Sequence, residues 1–392
     1  TVSSDRLSTN VKNTNFTAAE KQDLTDDIKP LLGSSGGGNK NLIINGAMQV
    51  AQRGTSSTTN GYGSVDRFAI ENSGVDEAPT HSQIDLTSSD TPFSLGFKKA
   101  LRITNGNQTS VGTSDFINLS QPIEAQNIAQ SGWNFTSSSS YVTLSFWVRS
   151  SISQDFKGYI SMEDGTERSY PYSTGTLSVN TWTKITKIIP GSSSPLLQCD
   201  VNNQKGFTFL LWPFIGSALT DNSVTENAWM TFSGSTRTKD SASNWYEADN
   251  ATFDITGVQL EVGSVATDFE HRSIGEELLR CQRYYQVIVE GTNKAICNAV
   301  SFTGNNGFGF IDLKTTMRAA PTLDVETGTG YWRAFRNGGT GDFNDVIMES
   351  NSIGTVGLKF QGVSSGSSLN TDQVGFMRTN NSAAFLAASS EL

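Results

Sequence analysis

The chain has 392 residues, and Ser, Thr, Asn and Gly supply 159 of them, about 41%. With 36% apolar, 17% charged and 10% aromatic residues it is neither a disordered tail nor a coiled coil, and its length predicts two or three domains with cores of their own. The formal charge of -10 works against a phosphate backbone, where affinity comes from basic residues displacing counterions, so nucleic acid is not an expected partner.

No stretch approaches the roughly 18 consecutive apolar residues of a membrane span, so no membrane insertion is expected. Thr1 to Asn10 have neither the basic start nor the apolar stretch of a secretory signal. Cys199, Cys281 and Cys297 are too few and too scattered for a disulfide framework or a zinc site with paired spacings. Packing residues or free thiols made in a reducing cytoplasm are expected, with no metal and no cofactor.

In chain order, residues 1–38 read as a helical arm and linker. Thr17-Ala18-Ala19-Glu20 matches a capping box, Leu24, Ile28 and Leu31 follow at helical spacing, Pro30 ends the helix, and Gly33 to Gly38 form a flexible joint. Residues 39–272 carry strand patterns. Val142, Leu144, Phe146 and Val148 alternate with Tyr141, Thr143, Ser145, Trp147 and Arg149, the signature of a sheet with one buried face. Phe207 to Trp212 is apolar almost throughout and fits a central strand covered on both sides. Turn clusters such as Thr104-Asn105-Gly106-Asn107 separate these strands, and no repeat of about 20–50 residues appears, so a two-sheet sandwich is expected rather than a propeller.

A second capping box, Ser273-Ile274-Gly275-Glu276, opens a connecting helix over 273–289 with Ile274, Leu278, Cys281 and Tyr285 on one stripe. Residues 290–392 return to short strands and glycine turns. Their core looks thin enough to need completion by a neighbour.

Catalytic signals are sparse. The two histidines, His81 and His271, lack a nucleophile motif, and HExxH, GxSxG and Walker patterns are absent. Trp245-Tyr246-Glu247-Ala248-Asp249 could stack on a sugar ring while Glu247 and Asp249 accept its hydroxyls or act as acid and base. Tyr331-Trp332-Arg333 between glycine loops is the most exposed-looking aromatic and cationic group of the C-terminal unit. A hairpin held by aromatic cross-strand pairs explains the same letters.

Two stretches carry a resemblance. Lys40-Asn41-Leu42-Ile43-Ile44-Asn45-Gly46-Ala47-Met48-Gln49-Val50-Ala51-Gln52-Arg53-Gly54, followed by Tyr62 and Val65-Asp66-Arg67-Phe68, resembles the start of a module recurrent in bacteriophage tail-fibre and virion proteins. Gly257 to Arg272, running into Gly275-Glu276-Glu277-Leu278-Leu279-Arg280-Cys281-Gln282-Arg283-Tyr284-Tyr285, resembles its end. The two bracket residues 40–285, about 63% of the chain. The opening is also similar to that of jelly-roll carbohydrate-binding modules, which hold a structural calcium through acidic groups. Here those positions read Ala47 and Gln49, so no calcium is expected.

The resemblance implies an all-β fold: a jelly-roll β-sandwich with a short N-terminal helical arm and a small β-rich C-terminal domain, in a homotrimer. It makes Asn41 to Val50 and Phe253 to Val262 adjacent first and last strands, Asp66-Arg67 a structural ion pair, and loops the binding face. The implied protein is a virion fibre or spike whose arm docks on other virion proteins. It would adsorb to bacterial surface polysaccharide without catalysis. A capsid decoration (head-fibre) protein, a glycan depolymerase using Glu247 and Asp249, and a secreted sugar-binding module are the alternatives.

Overall fold

The computed structural model describes residues 40–301, 306–365 and 373–392. The expected arm, with its helix from Thr17, lies outside the described residues.

Twelve strands build the first unit: β1 (Ser56–Ser57), β2 (Ala69–Ser73), β3 (Thr80–Asp85), β4 (Lys99–Thr104), β5 (Phe116–Glu124), β6 (Tyr141–Ser150), β7 (Asp155–Met162), β8 (Arg168–Thr176), β9 (Thr183–Pro190), β10 (Lys205–Ile215), β11 (Met230–Thr231) and β12 (Thr252–Val262). They form two six-stranded antiparallel sheets, ordered β1-β3-β4-β12-β6-β9 and β11-β8-β7-β10-β5-β2, stacked as a jelly-roll sandwich. A single-turn helix, α1 (Ala125–Ala129), follows β5. The alternation on β6 turns Val142, Leu144, Phe146 and Val148 inward to full burial. There they meet Ile160, Phe207, Phe209 and Leu211 of the facing sheet, with Phe146 and Phe209 rings 5.8 Å apart. Each such side chain contributes about 1.5–3 kcal/mol by leaving water.

Residues 41–50 lie beside β12 as expected but are not a strand. Asn45 (φ 60°) and Met48 (φ 58°) break the extended backbone. Two backbone bonds reach β12, from the Leu42 amide to the Leu260 carbonyl and from the Val258 amide to the Gly46 carbonyl, both at 2.9 Å, and a side chain adds to them: the Asn41 carboxamide accepts from the Ile43 and Leu260 amides, both at 3.0 Å, and donates to the Val258 carbonyl at 3.0 Å. Gly46 passes so close to β12 that a Cβ there would sit 2.0 Å from the Val258 oxygen. Asp66 and Arg67 are not partners of each other either. Asp66 accepts from the Gln52 amide at 2.8 Å and side chain at 2.6 Å, while buried Arg67 pairs with Glu391 and lies 3.5 Å over the Tyr284 ring.

Ser273 caps α2 (Ile274–Gln282) by accepting from the Glu276 amide at 3.2 Å. This helix is shorter than the expected span, because Tyr285 already opens a strand, and the expected stripe is divided: Ile274 is exposed and Cys281 buried. The buried face includes Glu277, which anchors the helix by accepting from the Asn45 amide at 2.5 Å.

The C-terminal unit contains β13 (Tyr285–Glu290), β14 (Ala295–Val300), β15 (Gly307–Asp312), β16 (Thr322–Glu326), β17 (Trp332–Arg336), β18 (Gly339–Asn351), β19 (Thr355–Ser365), β20 (Val374–Thr379) and β21 (Phe385–Ser389). β13, β21 and β16 make a small sheet, and the other six close into a barrel ordered β14-β15-β19-β18-β17-β20. Closure gives this unit its own core of Trp332, Phe343, Val346, Leu358, Phe360 and Met377.

Candidate functional site

The residues singled out in the sequence fall in two separate places. Trp245 and Tyr246 are fully buried in the sandwich core. Tyr246 stacks on Phe214 at 4.1 Å and donates its hydroxyl to Asp115 at 3.1 Å, so neither ring can meet a ligand. Glu247 and Asp249 are exposed on that loop, Glu247 accepting from the Ser243 hydroxyl at 2.7 Å. On the barrel, strand alternation turns Trp332 inward to full burial, Tyr331 is half-buried, and Arg333 is held by Asp342 at 2.6 and 2.8 Å. Turn-rich surroundings suggested exposure; the strand period decided otherwise.

The two histidines differ in setting, His81 buried and His271 exposed. His81 is buried between the Ser64 hydroxyl at 2.8 Å and the Thr59 carbonyl at 2.9 Å, and burial lowers its pKa despite the second contact. Among the described residues no group of His, Cys, Asp or Glu is arranged to hold a metal.

A cavity of about 280 Å³ opens on the outward face of the first sheet. Its floor is Trp147, an outward residue of β6, which is half-buried and lies directly across the ladder from Lys184 on β9. Gly257 makes the floor possible. It sits at the irregularity in β12 with φ 64°, and a Cβ there would come within 2.7 Å of Phe97 and 3.3 Å of Trp147. The wall is the segment after β12, which folds back over the sheet and brings Asp268, Phe269 and His271 to the rim.

That wall is fixed by polar anchors. Glu261 accepts from the Thr267 amide at 2.8 Å and hydroxyl at 2.6 Å, Gln259 accepts from the Glu270 amide at 2.8 Å, and Glu270 accepts from the Asn41 amide at 2.8 Å and pairs with Arg272 at 2.8 Å. Phe97, Phe269 and His271 pack mutually with ring centroids 4.8–5.0 Å apart, and His271 Nε2 donates to the Leu95 carbonyl at 2.9 Å. The side chains of Lys184 and Asp268, both exposed, have no partner among the described residues. An aromatic floor with one free donor and one free acceptor suits a small ring that has an apolar face and hydroxyl edges.

Beside the cavity, Asp254 is clamped by Arg102 and Arg149 at 2.7 Å each, and Arg149 reaches Asp90 at 2.7 Å, which also takes the Trp182 indole at 2.9 Å. Burial pushes the Asp90 carboxyl up, but the Thr87 and Trp182 hydrogen bonds and the Arg149 charge hold it below its ordinary value.

A second concavity, about 210 Å³, lies on the outward face of the other sheet. Glu163 accepts there from Ser161 at 2.9 Å and Thr208 at 2.5 Å and pairs with Lys205 at 2.6 Å. Burial, then the charge of Glu163, raises the pKa of Glu167. Of its two tyrosines, Tyr159 is buried against Trp212 and half-buried Tyr62 lies against the Arg53 and Arg67 guanidiniums, 5.7 and 5.6 Å from its ring centroid.

The sequence reading placed Trp147 in the sandwich, gave Asp268 no role beyond its place in the motif, and left Lys184 unremarked. The outward positions of β6 were visible in its alternation. The refolding of 263–272 over them was not, although the motif at 257–272 contains Gly257, Asp268, Phe269 and His271. Those motif residues therefore line the cavity as well as building the scaffold.

No family model matches the chain, and no curated protein does. Among solved structures it is similar to the enzymatically active domain of tailspike protein 4 from bacteriophage CBA120, at 11% identity and a TM-score of 0.31 over 57% of this chain and 22% of that one. It is similar to a sugar-binding protein from Bacteroides thetaiotaomicron at 13% identity and a TM-score of 0.30, over 57% of this chain and 100% of the other. The tandem CBM22 domains of Paenibacillus barcinonensis Xyn10C match at 9% identity and a TM-score of 0.28, over 92% and 100%. At these scores function has to be read from the site itself.

Proposed function

We propose that this chain is a bacteriophage virion fibre or spike protein that adsorbs to bacterial surface glycan without catalysis, through the Trp147 cavity. The observation that carries this is a half-buried indole floor with Lys184 and Asp268 at its rim, whose side chains have no partner among the described residues. A pyranose lays its C–H face on the indole, donates a hydroxyl to Asp268 and accepts from Lys184. Such contacts are weak singly and gain force when several copies on one particle act together. The virion reading is supported by the motif resemblance over residues 40–285, with the segment 1–38 as the docking arm. Location at the particle surface, on tail or head, goes with it.

One observation favours an enzyme instead: Glu167, raised by burial and by Glu163, sits in a groove with a second carboxylate, the pairing that glycoside hydrolysis uses. The test is incubation with purified capsular and lipopolysaccharide glycans, reading retention and chain length. Retention with unshortened chains, and roughly tenfold weaker binding in Trp147→Ala, is the expected result. Shortened chains abolished by Glu167→Gln would replace the binder with a depolymerase.

A further inference from the structure

An open concavity of about 590 Å³ lies where α2 meets the C-terminal unit. From α2 it takes Leu278 and Gln282, four residues apart and so on one face of the helix. From β13 it takes Val287, Ile288 and Val289. Consecutive residues of a regular strand face opposite sides, but the pairing of β13 with β21 skips a residue between Val287 and Val289, and this bulge is how all three come to line one cavity.

The polar groups of the lining are held in place without being used up. Gln52 donates its carboxamide to Asp66 at 2.6 Å and to the Tyr285 carbonyl at 2.8 Å, which leaves its Oε1 without a partner among the described residues. The Lys314 amide donates to Gln286 at 2.9 Å and the Lys294 amide to the Thr379 hydroxyl at 2.8 Å. Both lysine backbones are therefore fixed, while both side chains are exposed and have no ion-pair partner among the described residues. Gln282 is only 3% exposed, and its carboxamide has no hydrogen-bond partner among the described residues. A buried carboxamide is ordinarily satisfied, so one left open at a cavity marks where the polar atoms of a ligand belong.

We propose that this concavity is a second binding site, for a sugar ring that carries an anionic group, either carboxylate or phosphate. Lys294 and Lys314 supply two cations for that group, Gln282 and the Gln52 oxygen meet ring hydroxyls, and Leu278 and Val287 lie against the C–H surface. Exposed Glu290 on the same lining accepts a further hydroxyl and disfavours a ligand with many negative charges. The site is separate from the Trp147 cavity and does not depend on it.

The experiment is isothermal titration calorimetry of the full chain with glucuronate, glucose 6-phosphate, methyl glucoside, acetate and inorganic phosphate. At least one of the two charged sugars is expected to bind roughly tenfold tighter than methyl glucoside and than its own bare anion, and the two arms tell carboxylate from phosphate. Lys294→Gln with Lys314→Gln, and separately Gln282→Leu, should each weaken that binding roughly tenfold, the second without lowering Tm because its carboxamide holds no bond in the fold. Charged sugars bound no better than methyl glucoside, bare anions bound as well as the charged sugars, or a complex indifferent to both variants would overturn the proposal. The same titrations on the Trp147→Ala chain separate the two proposals, since binding of a charged sugar there stands or falls on this concavity alone.

Discussion

On the sandwich, the outward face of β6 and β12 is roofed by the chain itself: the segment after β12 folds back over it, and Arg102, Asp254, Arg149 and Asp90 tie the rest into an ionic lattice. On the barrel, the outward face of β14, β15 and β20 leaves Phe310, Val374 and Phe376 exposed, with no described residue recorded as packing over them. Both units bury a core inside. They differ in what covers the outside, and a unit that spends part of its own chain on a roof is left with a small concavity under that roof. A unit that does not is left with a flat surface. The first geometry suits a small ligand and the second suits a protein.

The comparison breaks most sharply where the two units are joined. Buried Arg67 on the sandwich holds Glu391 next to the last strand of the C-terminal unit, with Arg53 on the same carboxylate at 3.1 Å and its guanidinium 3.4 Å from the Tyr285 ring centroid. Arg67→Ala leaves a largely buried carboxylate with one partner fewer, and about 3–5 kcal/mol of stability is expected to go with it. Calorimetry should show the C-terminal unit melting earlier while the sandwich transition moves less. Two transitions that both stay within about 1 kcal/mol of the wild type would mean that this ion pair does not hold the C-terminal unit.

The roof itself is tested by Gly257→Ala. The backbone there is left-handed, and the new methyl would meet Phe97 and Trp147 under the fold-back segment, so a loss of about 1–3 kcal/mol is expected. Ligand binding at the cavity should weaken along with stability. Unchanged sugar binding in a folded Gly257→Ala protein would show that the cavity floor is not the binding surface.

Legibility followed the same division. Strand alternation on β6 and the apolar run of β10 announced the sandwich, because the period of two is a local property. The two motifs were correctly placed side by side, yet Asn41 to Val50 holds β12 through two backbone bonds, the Asn41 carboxamide and the close pass of Gly46 rather than a regular ladder, which no pattern of apolar residues encodes. Trp245 and Trp332 were assigned by neighbouring turns, and burial depends on what long-range packing puts over them. Lys184 and Asp268 lie 84 residues apart in sequence. Only the return of residues 263–272 across the sheet makes them neighbours of one cavity.

The smallest effect concerns the edge of the sandwich at β1 and β3, where the covering is a hydrogen-bonded histidine. His81 lies between Ser64 and Thr59, and burial holds its pKa below the ordinary imidazole value. The unfolded chain therefore takes up a proton as pH falls through about 6.5, while the folded one resists it until its own lower pKa is reached. Stability from this group is present above about pH 6.5 and is lost below it. Asp66 and Glu167 act in the opposite sense, since burial raises their carboxyls and folding then favours the proton. Comparing urea midpoints at about pH 7.5 and 5.5 in the wild type and in His81→Gln cancels those carboxylates, because both proteins contain them. The wild type should lose more stability on acidification than the variant. Equal losses would show that His81 is solvated in solution and that this corner of the sandwich is as bare as the barrel wall.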